Sequence, residues 1–351
     1  MRRVCLFIAC GILMAAVGLW AQESSSSGPY KVLKTAKVGG DGGFDYVWAD
    51  SAARKLYVSR SGPNARITVW DLDTLEPAGV IPNSGGHGAV VSAKTGHGFA
   101  TTKPVLMFDA KTLAPIKTID TGGNPDGFYY DSFNDRVYIL SHASPNVTAL
   151  NASDGAIAGT VDIDGATEQT VGDGKGHIYA DVEDKGNIAV IDAKTMKVTA
   201  HYDLQGKGNG CAGLAIDARN RILFAACRDP QNMVVLNADD GKILATLPIG
   251  AGTDGAVFNP QTMEAFSSQR DGTLTIVKEN SPTSFAVEQT VSTATSAKTL
   301  TLDSKTGHVL LIAAQYGPPP AQPATPPAGG GRGPQAPMIP DSFTILVVGK
   351  N

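Results

Sequence analysis

GGNPDGFYYDSFNDRVYIL (residues 122–140) consists of a polar turn, a short apolar run, a second turn and another apolar run. Within this stretch, Asp126 lies between a proline and a glycine at the point where the first run begins. A single aspartate at such a position is ordinary turn chemistry, because its side chain accepts hydrogen bonds from nearby backbone amides. The position becomes informative only if it recurs along the chain.

The same pattern occurs seven times. The copies are DYVWADSAARKLYVS, HGAVVSAKTGHGFAT, DGFYYDSFNDRVYIL, EQTVGDGKGHIYAD, AGLAIDARNRILFAA, DGAVFNPQTMEAFSS and KTLTLDSKTGHVLLI. Their first positions are Asp45, His87, Asp126, Glu168, Ala212, Asp254 and Lys298, separated by 42, 39, 42, 44, 42 and 44 residues. A period this regular is typical of repeat architectures.

Each copy continues with two further apolar runs, such as ITVWD (67–71) and IKTID (116–120). Alternating polarity, β-branched residues and punctuation by Gly, Asp, Asn or Pro favour strands over helices. Four short strands per copy form the unit of a β-propeller blade. The sequence therefore predicts an all-β fold, a seven-bladed β-propeller with four antiparallel strands per blade.

The two ends of the repeat region predict how the ring closes. The seventh copy supplies only three strands, the last being FTILVV (343–348), and a segment rich in Pro and Gly (317–340) interrupts it. The strand YKVLKTAKV (30–38) precedes the first copy. We expect this strand to pair into the last blade as its missing outer strand, which removes an exposed edge. Residues 30–351 then form a single propeller domain with 317–340 as a loop insertion in blade 7.

The first residues are typical of a secretory signal peptide, with Arg2 and Arg3, an apolar stretch over 4–20, and a possible cleavage site after Ala21. We expect residues 1–21 to be the signal peptide and 22–29 a Ser-rich linker. The mature chain would then be periplasmic or secreted, without a transmembrane segment. Its formal net charge changes from −4 to about −6, which argues against a nucleic-acid partner, since phosphate binding needs clustered Lys and Arg.

Two cysteines, Cys211 and Cys227, follow the signal peptide. The hairpin of the fifth copy turns near Arg219, so that these cysteines face each other on neighbouring strands. Directly opposed residues have Cβ atoms about 4.5–5.5 Å apart, near the reach of a disulfide. In a compartment where disulfides persist, the sequence favours a Cys211–Cys227 bond over two free thiols.

The complete third copy, GGNPDGFYYDSFNDRVYILSHASPNVTALNASDGAIAGTVDI, resembles the YVTN repeat, with its Gly-x-x-Pro-x-Gly entry, its Asn turn and its V-x-D-x-x-T third strand. VIDAKTMKV (190–198) and FDAKTLAPIKTI (108–119) are similar to the last of these elements. The resemblance covers about residues 38–351 and extends to the YncE-like group of bacterial seven-bladed propellers. It implies the fold and a binding or scaffold role, with no particular reaction. Only the third copy retains the full Gly-x-x-Pro-x-Gly entry.

In a propeller the first strand of each blade lines the central channel, so a position repeated at its start forms a ring around one mouth. Six of the seven ring positions carry ionisable side chains, four of them acids, and Ala212 is the exception. The ring residues that we expect to bind ligand are Asp45, His87, Asp126, Glu168, Asp254 and Lys298. Several carboxylates on one axis repel each other and need a cation, raised pKa values or ample water. Any of these marks a site.

The loops between the second and third strands should open on the same face. They contribute Arg60, Arg228 and Arg270, which we expect to bind ligand from a cationic outer ring, together with Lys103, His142, Glu183 and Asp184. The insertion at 317–340 is also such a loop, so it should emerge on this face. This arrangement suits a small polar ligand or a protein partner, bound by a monomeric domain.

Two functions remain open at this point. In the first, the exported chain is a binding or scaffold module with its ligand at the charged mouth. In the second, it is a metal-dependent hydrolase of the lactonase (gluconolactonase-like) type. Asp45, Asp126, Glu168 and Asp254 would then hold a divalent cation, Ca²⁺ or Mg²⁺, and His87 would be a ligand or the catalytic general base. The spacing of these acids comes from the fold and does not select between the two functions.

Overall fold

The computed structural model describes residues 27–318 and 336–350. The expected signal peptide (1–21), most of the linker (22–29) and most of the insertion (317–340) lie outside the described residues. Within them, 28 β-strands form seven four-stranded antiparallel sheets, and no residue is helical. Accordingly, this part of the chain includes no helix of the length and apolarity that crossing a membrane requires. The prediction of a seven-bladed all-β propeller is confirmed.

Blades 1 to 6 each take their four strands from one copy of the repeat. Blades 1 and 2 contain β2 (Phe44–Asp50), β3 (Lys55–Arg60), β4 (Arg66–Asp71), β5 (Pro77–Ile81), β6 (Ala89–Val91), β7 (His97–Ala100), β8 (Val105–Asp109) and β9 (Pro115–Ile119). Blades 3 and 4 contain β10 (Pro125–Asp131), β11 (Arg136–Ser141), β12 (Val147–Asn151), β13 (Ile157–Val161), β14 (Thr170–Gly172), β15 (His177–Val182), β16 (Asn187–Asp192) and β17 (Lys197–Asp203). Blades 5 and 6 contain β18 (Asn209–Asp217), β19 (Ile222–Asp229), β20 (Gln231–Asn237), β21 (Ile243–Pro248), β22 (Thr253–Asn259), β23 (Glu264–Gln269), β24 (Thr273–Ser281) and β25 (Ser284–Ser292).

Blade 7 joins the two ends of the chain. Its strands, in order across the sheet, are β26 (Leu300–Asp303), β27 (His308–Ala313), β28 (Thr344–Lys350) and β1 (Tyr30–Lys37). The antiparallel pairing of β1 with β28 runs from Tyr30 opposite Lys350 to Lys37 opposite Thr344. The predicted closure by the N-terminal strand is therefore confirmed.

The apolar core is divided among the blade interfaces. Seven clusters of buried side chains occur in the described chain, one between each pair of neighbouring sheets. The first strands of successive blades contact each other around the axis. Because every blade is packed on both of its faces, the start of each first strand is held in a fixed position around the channel.

A disulfide joins Cys211 on β18 to Cys227 on β19, with an S–S distance of 2.07 Å. The two residues are directly opposed, as the sequence predicts. Beyond them the register shifts by one residue, between Cys211 and Gly213, because a β-bulge lies there. The predicted bond is present in the structure.

Removal of β1 tests the closure of the ring. Tyr30 is buried, its ring packs edge-on against Phe266 at 5.4 Å, and its backbone exchanges two hydrogen bonds with the side-chain amide of Gln289. We expect a chain that begins at Gly39 to lose several kcal/mol of stability. At about 2–4 °C per kcal/mol, its melting temperature should fall by roughly 10 °C or more. The control is a chain that begins at Ser27, and equal melting temperatures for the two would contradict the arrangement.

Candidate functional site

Six of the seven repeated positions meet at one mouth of the central channel. A cavity of about 470 Å³ is lined by Asp45, His87, Asp126, Glu168, Asp254 and Lys298. Arg228, at the end of β19, and Arg270, just after β23, also line it. These eight residues are all among those that the sequence indicates. The repeat phase therefore locates the cavity, although it does not determine how the side chains pair.

Local backbone irregularities direct these side chains into the cavity. In four blades the first strand carries a β-bulge at or next to the ring position, over residues 44–47, 125–128, 211–213 and 253–256. A bulge bends the strand and re-aims the side chains within it. Polar side chains on the second strands also hold the backbone amides at ring positions, in a bulged blade and in an unbulged one. Ser59 Oγ accepts from Asp45 N at 3.0 Å, and Asp181 Oδ1 accepts from Glu168 N at 2.9 Å.

The charged side chains at the mouth form a closed ring in which acids and bases alternate. On one side, Lys298 Nζ lies 3.3 Å from Asp45 Oδ1, and Asp45 Oδ2 lies 2.7 Å from His87 Nδ1. His87 Nδ1 in turn lies 2.8 Å from Asp126 Oδ1. Asp126 Oδ2 then lies 3.0 Å from the Nε2 atom of His142. Each carboxylate in this half of the ring is therefore held between two bases.

The other half of the ring completes the circuit. His142 Nε2 lies 3.5 Å from Glu168 Oε1, which is 4.0 Å from an Arg228 Nη2 atom. The same guanidinium forms ion pairs with Asp254 and Glu183, and Asp254 pairs with Lys298. Blade 5 has Ala212 at its ring position, and Arg228 from the end of its second strand supplies the missing charge. Four acids and four bases, with contributions from all seven blades, thus encircle the axis.

This pairing controls the ionisation of the two histidines. Interactions with Asp126 and then Asp45 raise the pKa of His87 to about 10, despite the opposing effect of burial. Interactions with Asp126 and then Glu168 likewise raise the pKa of His142 to about 10. Both imidazoles are therefore cations at neutral pH, and the ring as a whole is electrically balanced.

The sequence left three ways to relieve the repulsion between these carboxylates open: a cation, raised pKa values or ample water. Burial acts to raise the pKa of Asp126, but His142 and His87 outweigh it and hold the pKa well below the ordinary range. Burial acts to lower the pKa of Lys298, yet the charges of Asp254 and Asp45 raise it overall. The acids are compensated by fixed cations from the protein itself.

A polar floor lies beneath the ring. The residues that follow the ring positions are Tyr46, Gly88, Gly127, Gln169, Gly213, Gly255 and Thr299. Tyr46 Oη reaches across from blade 1 and lies 2.9 Å from both Glu168 O and Glu168 Oε2, either of which can accept its proton. Gln169 reaches from blade 4 to the backbone of Leu214 and Ala256 with three hydrogen bonds of 2.9–3.0 Å. Both side chains also line a second cavity in the channel, with a volume of about 390 Å³.

Glycines at the same level make room for the floor. A Cβ atom on Gly127 would lie 2.4 Å from Glu168 O and 3.3 Å from Tyr46 Oη, and one on Gly88 would lie 2.9 Å from Tyr46 Cβ. Asp181 supports the other side of the floor, because its Oδ1 atom accepts from the backbone amides of Glu168 and Gln169. Burial raises the pKa of Asp181 to about 8.

The structure does not bring Arg60 to the cavity. Its side chain is 2% exposed, donates to Gly39 O at 3.1 Å and Asp41 O at 2.7 Å, and lies 3.9 Å from the ring centroid of Phe343. Burial is the main reason that its pKa falls to about 10. Arg60 therefore supports the junction of blades 1 and 7. In the repeat it corresponds to Cys227, one residue before Arg228, so its side chain faces the other side of the strand.

Some residues of the site are not among the ligand-binding residues that the sequence predicts. His142 is identified there only as a loop residue, and the cavity is also lined by Asn124 and Gly252. Tyr46 and Gln169 carry no signal in the repeat, because their positions hold glycine in four other copies. Their role depends on how far each side chain reaches across the axis.

Two groups of side chains have the donors and spacing to hold a metal ion. One consists of Asp45, His87 and Asp126, and the other of Asp126, His142 and Glu168; in each, the candidate ligand atoms lie within 4.8 Å of one another. Of the four acids proposed from the sequence as metal ligands, three belong to these groups. Asp254 belongs to neither, because both of its carboxylate oxygens face the cations of Arg228 and Lys298.

Comparison with known proteins shows the fold. No protein-family model and no curated protein matches the chain. A solved structure titled "Structure of U3-55K" is similar with a TM-score of 0.67 at 11% sequence identity, covering 91% of this chain and 98% of that chain. A chain of the "Crystal Structure of Mitotic Checkpoint Complex" gives a TM-score of 0.67 at 10% identity, covering 89% and 95%. These similarities establish the shared propeller architecture.

The histidine pairing predicts a pH dependence of stability. A pKa of about 10 in the folded protein exceeds the ordinary value of about 6.5, so each imidazolium contributes stability fully below pH 6.5. That contribution is lost as the pH rises through about 10. We expect the free energy of unfolding of wild type to exceed that of His87→Gln at pH 6, with the gap closing towards pH 10.

Denaturant unfolding at a series of pH values measures this gap. The control is His201→Gln, because His201 lies on the outer strand β17 and its ring nitrogen faces Asn187. A difference between wild type and His87→Gln that varies with pH no more than that of the control would show that the carboxylates do not stabilise the imidazolium.

Proposed function

We propose that this protein is an exported binding module, a diverged relative of the YVTN/YncE-like propellers, which holds a small polar ligand at its charged mouth. The observation that carries the proposal is the closed ring of alternating charges above a polar floor. A scaffold propeller needs no such convergence of ionisable groups from all seven blades. Concave sites with a few convergent polar groups are the usual form of ligand pockets.

Arg270 indicates the charge of the ligand. It lines the cavity, its residue is exposed, and its guanidinium forms no ion pair with any described residue. The ring bases are each committed to carboxylates, so Arg270 is the cavity cation that is free to engage an incoming anion. A guanidinium binds carboxylate or phosphate with two parallel hydrogen bonds. We infer a ligand with an anionic group on the Arg270 side and hydroxyls towards the ring.

Export and a scaffold role rest on separate observations. The signal-peptide pattern of residues 1–21 and the Cys211–Cys227 disulfide both support a periplasmic or secreted location. The similarity to a chain of the Mitotic Checkpoint Complex is consistent with the use of a propeller for protein binding. If the partner is a protein, we expect an acidic segment of it to enter the same mouth.

Substitution of Arg270 tests the proposed mode of binding. Isothermal titration with a panel of C4–C6 sugar acids and dicarboxylates, each beside its neutral polyol, should show preference for at least one acid. Arg270→Gln should weaken the binding of that acid by about tenfold or more, since a hydrogen bond to a charged group contributes about 1.5–3 kcal/mol. Lys103→Gln is the matched control, because Lys103 is also exposed on this face and its Nζ donates to Gly123 O. Equal affinities for acids and polyols, or an unchanged Arg270→Gln variant, would refute this mode.

A metal-dependent hydrolase is the second candidate, and the two groups of His and acid donors at the mouth favour it. A bound cation would supply an activated water for attack on a lactone or ester. We expect hydrolysis of δ-lactones to be lost on chelation and in Asp126→Asn. Hydrolysis no faster than that in buffer, with metal supplied, would exclude this candidate and leave the binding module.

A further inference from the structure

The contacts of Asp126 are incomplete for a buried carboxylate. Its side chain is 8% exposed, and Oδ1 lies 2.8 Å from His87 Nδ1. The hydrogen bond of that nitrogen goes to Asp45 Oδ2 at 2.7 Å, and Asp126 Oδ1 accepts no hydrogen bond. One nitrogen carries at most one proton, so it cannot serve two carboxylate oxygens that are both in contact with it.

The second oxygen of Asp126 is in a similar position. Asp126 Oδ2 lies 3.0 Å from His142 Nε2, and the same nitrogen lies 3.5 Å from Glu168 Oε1. Each histidine nitrogen thus lies between two carboxylates, and Asp126 contributes one oxygen to each group. This is the arrangement of a carboxylate that bridges two cations, which in two-metal sites lie about 3.5–4 Å apart.

Asp45 and Glu168, the carboxylates on either side of Asp126, each have one oxygen held by another residue and the other oxygen facing a histidine. Asp45 directs Oδ1 to Lys298 at 3.3 Å, which leaves Oδ2 to face His87. Glu168 receives a hydrogen bond from Tyr46 on Oε2 at 2.9 Å, which leaves Oε1 to face His142. Hydrogen bonds and charges on the second oxygen are how proteins orient metal-ligating carboxylates.

We propose that the mouth of the propeller is a two-metal site in which Asp126 bridges two ions, one bound by Asp45 and His87 and the other by His142 and Glu168. The chemistry of the donors selects the metal. Mixed imidazole and carboxylate ligands suit Zn²⁺ and related first-row ions, whereas Ca²⁺ and Mg²⁺ prefer oxygen alone. The site thus differs from the one expected from the sequence, in which four acids hold one Ca²⁺ or Mg²⁺ ion and His87 is a ligand or the general base. It goes beyond the proposed binding of a polar ligand, which requires no metal.

Metal stoichiometry tests the site. Purified full-length protein is stripped with chelator, titrated calorimetrically with Zn²⁺, Mg²⁺ and Ca²⁺, desalted, and assayed for metal by mass spectrometry. We expect two Zn²⁺ per chain, with Mg²⁺ and Ca²⁺ bound at least about 100-fold more weakly.

Variants assign the two ions. His87→Gln and His142→Gln should each retain one Zn²⁺, and Asp126→Asn should weaken both by about 100-fold or more. The matched control is His177→Gln, because His177 Nδ1 also lies 2.8 Å from an aspartate, Asp173. This pair lies outside the mouth, and the second partner of Asp173 is the cation of Arg221. This control should retain two ions. Circular dichroism and melting curves establish that each variant is folded.

Several outcomes would overturn the inference: fewer than two Zn²⁺ per wild-type chain, loss of all bound metal in either single histidine variant, or metal loss in His177→Gln. Co²⁺ titration of wild type provides a readout that needs no variant, since d–d bands of imidazole-bound Co²⁺ should saturate at two equivalents. Failure here is distinguishable from failure of the proposed ligand binding, because the sugar-acid titration is repeated on chelator-stripped protein.

Discussion

Charge compensation around a shared axis is the constraint on which the mouth of this propeller depends. The circular arrangement of first strands brings Asp45, Asp126, Glu168 and Asp254 to the wall of one cavity. Without compensation, four carboxylates around one cavity would repel one another. The chain resolves this with four bases placed between them. The consequence is a dense but balanced set of ionisable groups, most of whose side-chain orientations are set by two neighbours at once.

The packing of the blades makes this ring of charges possible, because it fixes the position of each charged residue separately. Apolar clusters between neighbouring blades and the pairing of β1 with β28 hold the seven first strands in place. Bulges then turn individual side chains inward without disturbing the outer strands. Charged groups that are positioned by a packed core can stay close together, since their separation does not depend on their own attraction. This is the preorganisation that binding and catalytic sites share.

The sequence predicts the fold and the location of the site because both follow from repeat phase. A regular period and alternating apolar runs specify seven blades, and the same alignment places Asp126 and its equivalents around one axis. The ion pairs that these residues form depend on the length and conformation of each side chain, which the alignment of the repeats does not show. Arg60 precedes the position equivalent to Arg228 by one residue, and neighbouring strand residues face opposite ways. Arg228 accordingly completes the ring beside Ala212, whereas Arg60 is buried against Phe343. Tyr46 and Gln169 are likewise exceptions within their own repeat position.

The layer of Tyr46 and Gln169 adds a second level of recognition beneath the charges. A solute whose charged end meets the ring would present its inner end to a phenol hydroxyl and a carboxamide, each already held by hydrogen bonds to other blades. Selection would therefore act on the length of the solute as well as on its charge.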